Sequence, residues 1–327
     1  MRVAIINDTR PTNHYGCLMV MKNLEILLQQ EGGNLVWTWP VGVDWRKHLT
    51  KINAMPKVDA IIVNGEGTIH HGPKRWQAQA LVEFADYAHQ ILKVPVFLIN
   101  ATLFANDAAL YKSLSQFDKI FVRDRSSFDT LKKYQIECSF VPDMTFAVST
   151  RVEYQPQKPM CVIDSVMQTD VPFLKKLSQH YQADYRSMIV ARPSNYSFWK
   201  RPRRFIMACC KWAYTDRYLS LDPSCFEAYL AQYQLVVTGR YHTVTMCLKN
   251  HIPFVALESN TPKISFLLKE VFGNTRRVMN IAALNEIDFF EWQTYSNDEH
   301  TAIDAFLTKA KIANQQMIES VIYVVKE

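Results

Sequence analysis

The sequence of 327 residues predicts an α/β protein in which two Rossmann-like domains with parallel sheets face a cleft. Apolar, β-branched runs alternate with amphipathic helical patterns along the chain, as expected for parallel sheets covered by helices on both faces. The pattern stops once, in the polar, proline-bearing residues 149–159, and then restarts, which indicates a linker between two domains. Hydrophobic residues make up 48% and charged residues 21%, values that exclude a disordered or fibrous chain.

The first half of the pattern predicts an N-terminal domain over residues 1–150. Apolar runs predict strands at 2–7, 60–64, 95–100, 119–123 and 139–142. Helical periodicity predicts helices between them at 17–30, 76–92, 108–117 and 127–134. In the first of these helices, apolar residues recur at three- and four-residue spacing and form one face.

The second half predicts a C-terminal domain over residues 151–300 and a helical segment over residues 301–327. The expected strands are at 160–164, 187–191, 235–238 and 254–257, and the expected helices at 172–181, 225–233, 244–250, 264–271 and about 301–323. Open α/β sheets bind ligands at the carboxyl ends of their strands. Polar residues that follow predicted strands are therefore the first candidates for a site.

The net charge of +6 is concentrated in one segment, residues 192–217, which contains seven basic side chains and one acid. The rest of the chain is close to neutral, so the overall charge indicates little about nucleic acid. The basic residues Arg192, Lys200, Arg201, Arg203, Arg204, Lys211 and Arg217 are mixed with Phe198, Trp199, Phe205, Trp212 and Tyr214. This mixture is typical of a segment on a membrane surface. The alternatives are a solvated basic helix with its apolar side toward the core and a nucleic-acid patch, which no nucleic-acid motif accompanies.

The N-terminus and the cysteines predict a cytoplasmic protein. The first apolar run is too short for a signal peptide, and no run of about 18 apolar residues predicts a membrane span. The seven cysteines are odd in number and lie mostly in apolar segments, so we expect reduced thiols. The basic segment is the one feature that would bring such a protein to the inner face of the membrane.

The loop after the first predicted strand contains Asn13, His14 and Gly16. Its backbone N–H groups and the start of the following helix could hold an anion. An ordinary turn at Asn13 is the alternative.

The loop after the next predicted strand reads Asn64-Gly65-Glu66-Gly67. The two glycines permit close approach of the backbone to a ligand, and Glu66 could act as a base. A solvated loop acid is the alternative. The adjacent histidines at 70–71 would point to opposite faces of a strand, so we expect no metal site from them or from any other spacing in the chain.

Four further residues complete a predicted anion site. Arg123 ends a strand, where its guanidinium could bind a carboxylate or phosphate; an ion pair with Asp124 or Asp143 is the alternative. Arg240 and His242 follow a buried strand that breaks at a glycine. Lys263 begins a helix, against the dipole preference, which favours a nearby anion. Three cations and one imidazole predict a site for an acidic, phosphorylated small molecule.

The segments that contain these residues resemble the polysaccharide pyruvyl transferase family. They read FVRDRSSFDTLKKY, VPDMTF and VVTGRYHTVTMCLKNHIPFVALESNTPK, with VDAIIVNGEGTIHHG and NHYGC upstream. The resemblance covers roughly residues 10–270. The sequence departs from the family pattern at Glu66, where a run of glycines is commoner, and in NHIPF, where a glycine usually precedes the proline. The family is similar in fold to the two-domain glycosyltransferases called GT-B, whose last helix returns to the N-terminal domain.

The resemblance implies a transferase that needs no cofactor and no metal. Its co-substrate would be phosphoenolpyruvate, and its acceptor a sugar of a capsule, lipopolysaccharide or exopolysaccharide, or of a lipid-linked precursor. His242 would be the acid, and Glu66 or His14 the base. The donor would bind in the C-terminal domain and the acceptor in the N-terminal domain. The implied donor ligands are Arg123, Arg240, Lys263 and Thr243, and the implied acceptor or loop residues are Asn13, Gly16, Asn64, Gly65 and Gly67.

Two other functions fit the same residues. A GT-B glycosyltransferase would use a nucleotide sugar, with Glu66 as base and Lys263 and the helix after His242 holding the phosphates. A non-catalytic glycan-binding or scaffold protein is disfavoured by the number of titratable groups at predicted strand ends. The sequence leaves the oligomeric state open.

Overall fold

A computed structural model describes residues 1–148, 151–195, 198–199 and 201–326. Ser149 and Thr150 of the predicted linker, Lys200 of the basic segment and Glu327 lie outside these ranges. The chain forms two compact units. The first unit contains Met1–Asp8, Met21–Val148 and Leu307–Glu327, and the second contains Thr9–Val20 and Ser149–Phe306. The segment Thr9–Val20, which the sequence placed in the N-terminal domain, thus belongs to the second unit.

Strands and helices alternate along the chain, as predicted, and the structure adds short elements that the sequence did not predict. The strands are β1 (Arg2–Asp8), β2 (Asn34–Pro40), β3 (Ala60–Glu66), β4 (Val96–Ala101), β5 (Lys119–Val122), β6 (Ser139–Phe140), β7 (Lys158–Ser165), β8 (Asp184–Arg186), β9 (Tyr233–Gly239), β10 (Phe254–Leu257) and β11 (Val278–Met279). The α-helices are α1 (Tyr15–Gln30), α2 (Leu49–Asn53), α3 (Trp76–Tyr87), α4 (Ala108–Ser113), α5 (Arg125–Lys133), α6 (Val171–His180), α7 (Pro202–Lys211), α8 (Pro223–Leu230), α9 (Tyr241–Lys249), α10 (Lys263–Phe272), α11 (Ile281–Glu286) and α12 (Asn297–Lys326).

Each unit contains one parallel sheet, and the two sheets share a strand order. The first sheet runs β2-β1-β3-β4-β5-β6 and the second runs β8-β7-β9-β10-β11. In both, the second strand in sequence lies outside the first, and the third lies on the first strand's other side. The order therefore reverses between β1 and β3 and between β7 and β9. Open α/β sheets bind ligands at such points, outside the carboxyl ends of the strands.

The central strands are buried on both faces, which explains their continuous apolar runs. In the first unit, Ile61 and Leu98 lie in a core that Leu81 and Phe84 of α3 cover. In the second unit, the apolar residues of β7, β9 and β10 pack with Leu174 and Leu177 of α6. Because both faces are covered by helices, hydrophobicity marks these strands and alternation does not.

The predicted strand at 187–191 is wrong, because the observed strand begins three residues earlier and ends five residues earlier. The observed strand β8 ends at Arg186, and the following residues pair with the loop before α1 instead. The Tyr15 N–H donates to the Met188 carbonyl at 3.1 Å, and the Val190 N–H donates to the Asn13 carbonyl at 3.0 Å. These bonds also explain why Thr9–Val20 belongs to the second unit. The sequence further missed β2, an edge strand whose half-exposed side chains show no clear alternation.

The last helix, α12, is longer than the predicted 301–323 segment. From Leu307 onward it belongs to the first unit, where Asn314 Nδ2 donates to the Pro142 carbonyl at 3.0 Å. The expected return of the C-terminal helix to the N-terminal domain is confirmed. In the described part of the chain, no helix is long and apolar enough to cross a membrane.

Candidate functional site

At the reversal point of the second sheet, an arginine and an aspartate form an ion pair. Arg240, which follows β9, makes a two-point ion pair with Asp164 near the end of β7: Nε lies 3.0 Å from Oδ1 and Nη2 lies 2.7 Å from Oδ2. Both side chains are nearly buried, at 12% and 11% exposure. Asp164 also accepts hydrogen bonds from the Ser187 hydroxyl and the Met188 N–H. Arg240 is thus held in place by a carboxylate that the sequence did not single out, although an acid near a strand end was its signal.

Gly239 makes this arrangement possible. A Cβ atom at this position would lie 2.3 Å from Ser165 Oγ and 2.9 Å from Ser165 Cα. Only a glycine lets the ends of β7 and β9 approach so closely. The break in the apolar run at Gly239 therefore reflects packing between neighbouring strands.

His242 lies in the first turn of α9, which begins at Tyr241, three residues earlier than predicted. Its ring is 5.5 Å from the ring of His14, at an angle of 65°. Gly16 lies against it, so that a Cβ atom at position 16 would be 2.2 Å from His242 Cβ and Cγ. The loop before α1 and the start of α9 thus place two imidazoles side by side. Tyr241, the residue before His242, is buried, which indicates a packing role.

His14 is neutral in this environment. Burial lowers the pKa of its imidazole well below 6.5, and the neighbouring charges of His242, Arg240 and Lys263 lower it further. Its Nδ1 accepts a hydrogen bond from the Gly16 N–H at 3.2 Å, so the neutral ring carries its proton on Nε2. A proton on Nε2 makes His14 a hydrogen-bond donor there, which fits the predicted role of a base less well. Because the charges of His242, Arg240 and Lys263 act on His14, these four predicted residues lie near one another.

The lowered pKa of His14 predicts how stability depends on pH. Below about pH 6.5 the unfolded chain binds a proton at His14 that the folded chain excludes, so the free energy of unfolding falls as the pH falls. His14→Gln keeps an acceptor for the Gly16 N–H but has no titrating imidazole. We expect it to reduce the slope of the free energy of unfolding against pH by up to about 1.4 kcal/mol per pH unit. Urea unfolding between pH 7.5 and 5 measures it. Burial also lowers the pKa of His251, so adding His251→Gln should flatten the profile further. An unchanged slope in His14→Gln would contradict the assignment.

The backbone N–H groups at the start of α10 do not form an open anion site. The Glu258 carboxylate accepts hydrogen bonds from the Ile264 and Ser265 N–H groups, at 3.2 and 3.1 Å. The anion that the sequence predicted at this helix start is therefore the chain's own carboxylate. Lys263 Nζ lies 3.3 Å from Asn260 Oδ1 and 5.8 Å from the centre of the Tyr241 ring. Its charge acts on His14, whereas the N–H groups of α10 are occupied.

His14, Cys17 and His242 form a cluster that the sequence spacing could not predict, because one member is distant in sequence. Among the described residues, their ligand atoms lie within 4.8 Å of one another, a geometry that could hold a metal ion. Arg240 and Lys263, whose charges reach His14, oppose the binding of a cation there.

Two further predicted residues are buried near these elements. Asn13 has a left-handed backbone (φ 52°) and is 7% exposed, and its Nδ2 has no hydrogen-bond partner in the part of the chain that the structure describes. Thr243, predicted to bind the donor, is fully buried in α9, and within the same residues its Oγ1 also has no partner. Its side chain is thus not exposed to a ligand in this structure.

The reversal point of the first sheet holds a second polar cluster. Asn7 Nδ2 donates to the Asn64 carbonyl at 2.6 Å, and Asn64 Nδ2 donates to Glu66 Oε1 at 3.0 Å. Glu66 is 5% exposed, so it is not a solvated loop acid. Asn7, Glu66 and Asn100 lie within the last two residues of neighbouring strands, and all three have positive φ angles, of 67°, 39° and 55°. Such strained backbone is concentrated at functional sites.

Two glycines and two histidines lie next to this cluster, and the histidines differ from expectation. A Cβ atom at Gly65 would lie 2.6 Å from Ala101 Cβ, so this glycine allows β3 and β4 to pack closely. Gly67 lies half-buried in the turn after β3. His70 and His71 do not point to opposite faces: their Nδ1 atoms are 2.7 Å apart, because His71 adopts a left-handed conformation in a loop.

Arg123 is a structural residue rather than a donor ligand. Its side chain is 2% exposed, and its Nη1 lies 2.6 Å from Asp143 Oδ2 while its Nε donates to Thr102 Oγ1 at 2.8 Å. The ion pair with Asp143, which the sequence left open as the alternative, is what the structure contains. The neighbouring Asp124 caps α5, and its carboxylate accepts a hydrogen bond from the Ser127 N–H.

The buried ion pair predicts a large effect on stability. We expect Asp143→Asn to lower the free energy of unfolding by about 3–5 kcal/mol, because it leaves the buried Arg123 charge without its counter-ion. Glu83→Gln is the matched control, since Glu83 pairs with Arg46 at 2.9 Å but is 52% exposed. Glu83→Gln should lower the free energy of unfolding by less than about 1 kcal/mol. Urea unfolding distinguishes the two, and equal losses would contradict the prediction.

Comparisons with known proteins indicate a family and a fold. A sequence-family model described as polysaccharide pyruvyl transferase matches residues 14–261. A comparison with the curated proteins finds no match. Similar solved structures include UDP-GlcNAc 2-epimerase of Methanocaldococcus jannaschii in complex with UDP-GlcNAc and UDP, 13% identical, with a TM-score of 0.54 over 99% of this chain and 100% of that one. Another is alpha,alpha-trehalose 6-phosphate synthase of Burkholderia multivorans, 12% identical, with a TM-score of 0.54 over 99% and 97%. At these identities the likeness concerns the fold alone, and it confirms the predicted GT-B-like fold.

Proposed function

Because the chain belongs to the polysaccharide pyruvyl transferase family, and is therefore a transferase, we propose that its donor is phosphoenolpyruvate. The acceptor is a sugar of a cell-surface glycan, such as a capsule, lipopolysaccharide or exopolysaccharide, or of a lipid-linked precursor. Two hydroxyls of this sugar receive the pyruvyl group as a cyclic ketal. The reaction requires cations for the donor's carboxylate and phosphate and an acid for its methylene carbon.

One observation supports this donor. Arg240, Lys263 and His242 all lie close enough to His14 to depress the pKa of its imidazole. A small molecule with a carboxylate and a phosphate is the kind of ligand that such a positive environment stabilises. We assign Arg240 and Lys263 to the donor's charges. Asp164 holds the Arg240 guanidinium in a fixed orientation, which favours binding because little side-chain entropy is then lost.

The proposed chemistry uses His242 as the acid. Its imidazolium protonates the methylene carbon of phosphoenolpyruvate, so that the electron pair of the enol double bond forms the new C–H bond and positive charge develops at the neighbouring carbon. One sugar hydroxyl adds to that carbon, the C–O bond to phosphate breaks, and the second hydroxyl closes the ketal. One hydroxyl proton restores the imidazolium and the other leaves with the phosphate. The neutral His14, with its proton on Nε2, donates a hydrogen bond to phosphoenolpyruvate.

For the first unit we propose a role in acceptor binding. Glu66 is held by Asn64 at a strained strand end, where a carboxylate can accept hydrogen bonds from sugar hydroxyls. Glu66→Gln, which keeps the shape of the side chain, tests this role. It should raise the KM for the acceptor and leave donor binding unchanged.

A lipid-linked acceptor would also place the protein at the inner face of the membrane, and we propose a peripheral location there.

Ligand-induced thermal stabilisation tests the donor. We expect phosphoenolpyruvate to raise the Tm of the protein, and UDP-sugars to leave it unchanged. The shift should be lost in Lys263→Gln, which removes one of the two proposed cationic ligands. A shift with a UDP-sugar alone would overturn the proposal in favour of a glycosyltransferase. The absence of a shift with either ligand, together with saccharide binding, would favour a glycan-binding protein.

A further inference from the structure

The basic segment forms a helix that is apolar on two sides. In α7 and the π-helical turn after it, Ala208 is buried, and Phe205, Cys209 and Trp212 are half-buried on the side toward the protein. On the opposite side, Ile206 and Met207 are 53% and 71% exposed. A solvated helix with one apolar side toward the core would carry polar residues there. The solvated-helix alternative therefore does not explain why Ile206 and Met207 are exposed on the outward side.

The outward side of α7 is continuous along the helix. Arg203, Ile206, Met207 and Cys210 recur at spacings of three and four residues, which places them on one face, and all are exposed. We call these four residues the outer face of α7. Large exposed side chains flank it: Trp199 before the helix and Tyr214 and Tyr218 after it are 91%, 88% and 88% exposed.

The charges of the segment divide into structural and exposed groups. Lys211 pairs with the buried Asp216 at 3.2 Å, and Arg192 donates to the Asp216 and Leu219 carbonyls. These contacts anchor the segment to the protein. The exposed arginines are Arg201, Arg203, Arg204 and Arg217. Asp216 is the one acid between positions 192 and 217 and is buried, so no carboxylate of the segment offsets these arginines at the surface.

We propose that the outer face of α7 docks on an anionic lipid surface. Apolar and aromatic side chains enter the interface while the arginines contact lipid phosphates, the pattern of interfacial helices. The charge selects this partner, because a face that bound a second copy of the chain would bring like charges together. The proposal rests on the proposed function in one respect, since a lipid-linked acceptor gives the docking its purpose.

Vesicle co-sedimentation of the full chain tests the proposal. We expect binding to phosphatidylcholine–phosphatidylglycerol vesicles, weakened by salt, and weak binding to phosphatidylcholine alone. The variant Arg201→Gln/Arg203→Gln/Arg204→Gln should bind about 100-fold more weakly, at roughly fivefold for each arginine. The variant Ile206→Ser/Met207→Ser/Tyr214→Ser should lose at least about tenfold.

Matched substitutions at other exposed positions are the controls. Lys51→Gln/Lys57→Gln/Lys112→Gln removes the same charge, and Ile91→Ser/Phe290→Ser/Ile312→Ser removes similar exposed apolar groups; both should bind within about twofold of the parent. Equal losses in test and control variants, or no binding by the parent, would overturn the proposal. A dimer in light scattering that Ile206→Ser/Met207→Ser/Tyr214→Ser abolishes would overturn it as well. The arginine variant should keep its thermal stabilisation by phosphoenolpyruvate, so that failure of docking and failure of the proposed donor are distinguishable.

Discussion

We expect His242→Asn to lower kcat by about 10²–10⁴-fold, the range by which a positioned acid accelerates proton transfer. Asparagine keeps a polar side chain of similar reach but cannot deliver a proton to the donor's methylene carbon. Donor binding should persist, because Arg240 and Lys263 supply the charges that we assign to it. The measurement is steady-state formation of ketal and phosphate, together with the thermal shift by phosphoenolpyruvate.

Two controls separate catalysis from folding in this experiment. Circular dichroism and the Tm of His242→Asn should match those of the parent. Tyr241→Phe, at the neighbouring buried position, should change kcat by less than about tenfold, since Tyr241 has a packing role. Near-normal kcat in His242→Asn would remove this residue from the role of acid, and the mechanism would then need another proton donor.

Gly16→Ala should be nearly as damaging as loss of the histidine itself. The added methyl group would lie 2.2 Å from His242 Cβ and Cγ and 2.3 Å from Nδ1, so the ring must move. A displacement of about 1 Å at a reacting group can cost about 10²-fold in rate. We therefore expect kcat to fall by at least about 100-fold, and overpacking to lower the free energy of unfolding by about 1–3 kcal/mol.

A double variant shows whether this effect passes through His242. In Gly16→Ala/His242→Gly the methyl group at position 16 no longer meets a side chain, so the double variant should be more stable than the sum of the two single losses predicts. Additive losses in urea unfolding would mean that the damage at Gly16 has a different cause. Activity should stay absent in the double variant, because the acid is missing.

Several features of this protein follow from its amino-acid sequence alone. Buried parallel strands need apolar residues on both faces, so their runs were recognisable without any contact information. Helices near these runs were recognisable from their periodicity, although α9 starts three residues earlier than predicted because Tyr241, His242 and Thr243 are polar enough to suggest a loop. The strand-end rule made Arg240, His242 and Lys263 candidates for a site, since the ends of parallel strands gather at one edge of a sheet.

The tertiary structure decided the state of each side chain. Arg123 and Arg240 look alike in sequence, as cations after strands, yet one is sealed against Asp143 and the other lies with Asp164 beside His14. Ion pairs and burial depend on residues far apart in the chain, which no local pattern records. The same holds for Gly16, whose missing side chain makes room for a ring 226 positions later. The sequence determined which residues are candidates for binding and catalysis, and tertiary packing decided which of them lie close to one another.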